Sequence, residues 1–108
     1  MADQKTPMDI MRAISPVAAK TYMEQRASVM ENPEVKALDA KTKLLIGIGA
    51  AAVLQSETCT LMWVKQARQA GASNAEISEA IMVARLMKAA TVNDTAAKAL
   101  DWLASQST

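Results

Sequence analysis

The chain has no histidine, no phenylalanine and a single cysteine, Cys59. Without histidine it lacks the commonest general base near neutral pH and the commonest metal ligand, and one cysteine cannot make up a zinc site alone. No metal and no cofactor are therefore expected. A lone cysteine also rules out an intrachain disulfide, which fits a reducing cytoplasm. Aromatic residues are scarce, with only Tyr22, Trp63 and Trp102 present, so any core must be aliphatic. Three glycines and three prolines leave few turn formers. The alanine, leucine, isoleucine and methionine content favours helices over strands.

Charge of either sign is missing as a block. Twelve basic and eleven acidic residues give a net +1 and are dispersed, so nucleic acid and anionic membranes are not expected partners. The start, MADQKTPMD, lacks the charged and apolar regions of a secretory signal. The longest apolar run, Leu44 to Leu54, is about half of what a bilayer requires. At 108 residues one domain spanning 1–108 is expected, in the cytoplasm.

Capping signals divide the chain into five to six helices, an all-α class. Thr6-Pro7-x-Asp9 starts the first, which carries Met8, Met11 and Ile14. Ser15-Pro16 interrupts and recaps it. The second runs to about Met30 with Ala19, Met23, Ala27 and Met30 on one face, and Glu31-Asn32-Pro33 ends it. Asp39 is the expected N-cap of a third helix that is apolar on every face, hence central and buried, with Gly47 and Gly49 allowing close approach of neighbours. Ser56 or Thr58 caps a fourth, amphipathic helix that ends at Gly71. Its expected inner face is Cys59, Met62, Trp63, Ala67 and Ala70. Ser73-Asn74-Ala75-Glu76 is a capping box opening a fifth helix with the stripe Ile77, Ala80, Ile81, Ala84 and Met87. Thr91 to Asp94 reads as a turn and cap before a final helix presenting Ala96, Ala97, Leu100 and Leu103, with fraying over Gln106 to Thr108.

Chemistry has one strong candidate. With Ser56 as N-cap, Cys59 is the third helical residue, where free amides and the positive end of the helix dipole favour a thiolate. Glu57 opposes this by like charge. The competing reading is a cysteine serving as a small hydrophobe. Trp63, one turn on, either lines a pocket with Met62 or fills the core. The eight methionines suit an aromatic-poor core better than a metal-binding box. No carboxylates form a catalytic pair.

Two segments carry a resemblance. Leu38-Asp39-Ala40-Lys41-Thr42-Lys43 is similar to the LDxKTR-like start, and Ala70-Gly71-Ala72-Ser73-Asn74-Ala75-Glu76-Ile77 to the AGAS/T-x-x-E-I hairpin, of the carboxymuconolactone decarboxylase and alkylhydroperoxidase D-like superfamily. The resemblance is strongest over residues 38–90. It implies an alkylhydroperoxidase D-like helical fold and a homo-oligomer, trimer or hexamer. The peroxidase branch carries C-x-x-C-x-x-x-H with an upstream glutamate. Counted back from Gly71, this chain has Ser56 at the first cysteine, Cys59 at the second, Trp63 at the histidine and Leu44 at the glutamate. The second cysteine is the one that attacks peroxide, so the resemblance implies Cys59 as catalytic, with Ser56, Met62 and Trp63 about its substrate pocket and an external thiol as reductant. An antioxidant one-cysteine peroxidase or redox sensor follows from that reading. A non-catalytic oligomeric protein that binds a small molecule or acts as a scaffold is the alternative. Lactone decarboxylation is weaker, because the histidine that branch shares is also replaced by Trp63.

Overall fold

A computed structural model describes residues 5–106, which form five α-helices and no strand among the described residues. They fall into two compact units, Met1–Asp39 and Ala40–Thr108.

The first unit is a helical pair, α1 (Pro7–Ile14) and α2 (Pro16–Met30). Thr6 closes a capping box with Asp9, its Oγ accepting the Asp9 amide at 3.1 Å while its own N–H donates to the Asp9 carboxylate at 3.0 Å. Ser15 ends α1 and caps α2, accepting from the Ala18 N–H at 3.3 Å. Proline at the first helical position of each helix removes an amide that would have had no partner. Of the expected α2 stripe Ala19 is buried, Ala27 and Met30 are half-buried, and Met23 is exposed. Residues 1–4 of the start and Ser107 and Thr108 of the expected frayed end lie outside the described residues, while the Gln106 N–H bonds the Leu103 carbonyl at 3.1 Å.

The second unit is built around α3 (Ala40–Val53), against which α4 (Glu57–Gln69) and α5 (Asn74–Ala104) both pack. Gly47 and Gly49 explain this arrangement. Two residues apart on a helix point to nearly opposite sides. Gly47 faces the Trp63 ring of α4, and Gly49 faces the Ala80 carbonyl and Ala84 of α5. Leu44, Ile48 and Ala51 complete the buried side of α3, with Ile48 fully enclosed; Ala67, Ala72, Ile77 and Ala84 meet them. The third face of α3 departs from the sequence expectation of burial all round. Ile46 is 56% exposed, because three helices supply only two neighbours for α3 in this unit, and Leu54, in the turn after the helix, is 78% exposed.

Both connections in this unit end in the same hydrogen-bond pattern. After α4, Gly71 at φ 94° lets its N–H reach the Arg68 carbonyl and the Ala72 N–H reach Ala67. After α3, Gln55 takes that position at φ 63°, with its N–H bonded to Ala52 and the Ser56 N–H to Ala51. A side chain in the left-handed region costs about 1–2 kcal/mol. Gln55→Gly is therefore expected to raise stability by about 0.5–1 kcal/mol, net of its greater unfolded-state freedom, and the melting temperature by a few degrees. A lower melting temperature would contradict the strain.

One expected break is absent. α5 runs without interruption through Thr91–Asp94, so the fifth and final helices are a single element. The segment has polar cap-forming residues but no glycine or proline, and each costs only a fraction of a kcal/mol in a helix interior. The Thr91 hydroxyl donates to the Lys88 carbonyl at 2.6 Å, so its side chain bonds within the helix rather than capping a new one. Among the described residues no helix is long and apolar enough to cross a membrane.

Candidate functional site

Ser56 sits between the end of α3 and the start of α4. Its Oγ accepts the Cys59 N–H at 3.2 Å, which identifies it rather than Thr58 as the N-cap, and the Thr60 hydroxyl donates to its carbonyl at 2.7 Å. The first turn of α4 is thereby fixed around Cys59. The cysteine is free and exposed.

The inner face of α4 is rotated from the one expected. Ala67 is buried and Thr60, Trp63 and Val64 are half-buried, whereas Cys59 and Ala70 are exposed and Met62 stands at the margin. The reason lies on α3. Gly47 provides the recess that seats Trp63, and the indole then turns Thr60 and Val64 inward and Cys59 outward. Of the four residues singled out in the sequence, Ser56 and Cys59 are joined by a hydrogen bond, and Trp63 is committed to the contact with α3. A groove of about 470 Å³ beside Ser56 is lined by Ala52, Gln55, Glu57, Thr60, Leu61 and Val64, and not by Cys59, Met62 or Trp63. Leu44 is buried in the α3 core.

Two features were not foreseen. An open apolar groove of about 680 Å³ runs between α3 and α5, with Leu45, Ile46, Val53, Val83 and Met87 along it and Thr42 and Glu79 at one end. The exposed face of the all-apolar helix was its only signal. The second feature is an ion pair between Lys41 Nζ and Glu76 Oε2 at 2.9 Å. It joins the two segments that carry the family resemblance, tying the first turn of α3 to the first turn of α5. Glu76 also accepts the Ser73 N–H at 2.8 Å, and the Ser73 Oγ accepts the Glu76 N–H at 3.0 Å, completing the capping box.

These bonds hold the Glu76 carboxyl below the usual glutamate range, chiefly through the Ser73 backbone N–H and next through Lys41, against a smaller opposing effect of desolvation. A carboxyl lowered in the folded state adds stability above its unfolded value and loses it as pH falls through the folded value. Acidification from neutral pH to below the ordinary glutamate range is therefore expected to narrow the gap in melting temperature between the wild type and Glu76→Gln. A gap independent of pH would contradict the ion pair. Both side chains are partly exposed, so added salt is expected to shrink the effect.

Among the described residues no three carboxylate or thiol side chains come together as a metal-ligand set. Polar groups at the site include the Cys59 thiol, the Ser56 and Thr60 hydroxyls, Glu57 and the Gln55 amide.

The architecture is that of a small helical protein with its one thiol on the first turn of the helix after an apolar central helix. Residues 16–102 match the model of the carboxymuconolactone decarboxylase family, and the chain belongs to that family. Over 64 residues it is 47% identical to "Uncharacterized protein 4 in cox locus" of Paracoccus denitrificans. The match covers 59% of this chain and 58% of that relative's length, so the chain spans little over half of it. The crystal structure of a protein from Methanobacterium thermoautotrophicum is similar with a TM-score of 0.77 at 26% identity, over 85% of this chain and 97% of that one.

Proposed function

We propose that this protein is a thiol-redox member of its family, a one-cysteine peroxidase or peroxide sensor acting through Cys59. The observation that carries the reading is the exposure of Cys59 in the first turn of α4, with its amide held by Ser56. An exposed cysteine in the first turn of a helix is open to attack on a hydroperoxide. In the family's dithiol site Ser56 would be a cysteine, Trp63 a histidine and Leu44 a glutamate. With those residues replaced, an internal disulfide and the usual proton relay are unavailable to a single chain.

The cycle then needs an outside thiol. The Cys59 thiolate attacks one oxygen of a hydroperoxide, the O–O bond breaks, and the other oxygen leaves as water or an alcohol after taking a proton. Cys59 becomes a sulfenic acid, oxidised by two electrons. An external thiol attacks that sulfur and displaces water, giving a mixed disulfide, and a second thiol releases Cys59 reduced and a disulfide product. In the proposal Ser56 orders the turn that carries this sulfur, and Met62 and Trp63, three and four residues further along α4, supply the apolar surface next to that turn. Thiol-dependent peroxide consumption by the wild type, absent from Cys59→Ser, is the expected result. Equal rates for the two proteins would overturn the reading.

A second reading is favoured by a different observation. The apolar groove between α3 and α5 has the size and lining of a small-molecule site, with few polar groups at one end. A non-catalytic binding or scaffold protein would use it and leave Cys59 idle.

A further inference from the structure

α4 and α5 diverge along one side of the second unit and leave a groove of about 510 Å³. Two short rows of side chains line it. Val64 and Arg68 stand one turn apart on α4, while Ser78, Met82 and Arg85, at spacings of four and three, share a face of α5. Ile77 and Ile81 lie between the rows. Because Ile77 is buried and both arginines are exposed, the groove is apolar at its floor and cationic at its rim.

Charge sets this groove apart from the two described above. The α3–α5 groove has Glu76 and Glu79 in its lining and the groove beside Ser56 has Glu57, whereas no carboxylate lines this one. The Arg68 guanidinium donates to Asn74 Oδ1 at 2.8 Å and to the Ala72 carbonyl at 3.5 Å. Both acceptors are neutral, so they orient the guanidinium without cancelling its charge. Arg85 and the Ser78 hydroxyl make no hydrogen bond to another described residue. Among the described residues no carboxylate is paired with either arginine, and Asp9, Glu24 and Glu31 of the first unit already face Arg12, Lys20 and Arg26 of that unit. Guanidinium forks match a planar oxyanion, and an apolar floor beside them suits the rest of a molecule that carries one.

We propose that this groove binds a small amphipathic carboxylate, of which an unbranched aliphatic acid is the simplest form. The carboxylate lies between Arg68 and Arg85, with the Ser78 hydroxyl as a further donor, and the aliphatic chain covers Ile77, Ile81 and Val64. Arg68 is already held by Asn74, so little side-chain freedom is lost there on binding. The same ligand in the α3–α5 groove would bring its negative charge toward Glu76 and Glu79. Cys59 does not line the site, which is therefore independent of the peroxide chemistry proposed for that residue.

The test is isothermal titration calorimetry of the full chain with decanoate, kept below its micelle-forming concentration, and with decanol and acetate, which carry the tail or the head alone. Decanoate is expected to bind saturably, and each control at least about tenfold more weakly. Arg85→Gln removes the charge of a side chain that has no partner within the described chain, so it should melt as the wild type does. It should weaken decanoate at least about tenfold, as should Arg68→Gln. Arg85→Lys, which keeps the charge and loses the fork, should fall between Arg85→Gln and the wild type. Val83→Gln, in the α3–α5 groove, should leave the affinity unchanged. No saturable binding of decanoate by the wild type would overturn the proposal. So would decanol binding as tightly as decanoate, or an affinity that falls in Val83→Gln and persists in Arg85→Gln, since the ligand would then occupy the α3–α5 groove.

Discussion

Gly47→Ala is expected to be strongly destabilising, although alanine is the better helix former by about 1 kcal/mol. A Cβ at Gly47 would fall on Cε3 and Cζ3 of Trp63, inside the ring's van der Waals envelope, with Cδ2 only 3.2 Å away. The obstacle is the body of an indole seated between two helices, so relief requires Trp63 to leave its position or α4 to move off α3. Overpacking of this kind costs about 1–3 kcal/mol and occasionally more. The melting temperature is expected to fall by roughly 10 °C at a fixed protein concentration. Gly49→Ala is the matched comparison. Its Cβ would lie 3.4 Å from the Ala80 carbonyl and 3.7 Å from Ala84, tight but tolerable, so the helix-propensity gain should offset most of the cost. Equal effects at the two glycines would contradict the role assigned to Gly47 in seating α4 on α3.

That pair of glycines marks how far the sequence could be read. Caps and turns were legible because they are local: Thr6, Ser15, Ser56 and Ser73 all cap as their positions suggest, and Gly71 takes the conformation that L side chains rarely adopt. Helix faces were less legible. An all-apolar α3 has no period to show which side is covered, and the rotation of α4 depends on Trp63 finding Gly47, a contact between residues in different helices. The break expected at Thr91–Asp94 rested on polar residues that can form a turn and cap. In the structure those residues lie inside one continuous helix. The Lys41–Glu76 bridge spans 35 positions and was hidden because the capping box already accounted for Glu76.

Cys59 carries the other large expected effect. Its spacing from Met62, Trp63 and Ala67 on α4 is that of a core residue, yet the seating of Trp63 leaves it exposed. Replacing it with serine removes the only sulfur nucleophile of the chain while the Ser56 cap and the Trp63 contact persist. Thus Cys59→Ser should melt within about 1 kcal/mol of the wild type, as an exposed substitution does, and lose all thiol-dependent peroxide turnover. Ser56→Ala should behave differently, losing about 1 kcal/mol with the cap but retaining turnover, since its hydroxyl orders the first turn without making or breaking a bond.

The central claim is that the exposed sulfur of Cys59 is itself oxidised, and its most direct test is mass spectrometry of native protein treated with stoichiometric hydrogen peroxide and a sulfenic-acid trap such as dimedone. One adduct per chain is expected, located at Cys59 and formed without unfolding, with free thiol recovered instead when an external thiol replaces the trap. Native protein that alkylates readily at Cys59 yet yields no adduct and no peroxide loss would contradict the claim, leaving an accessible cysteine with no redox chemistry.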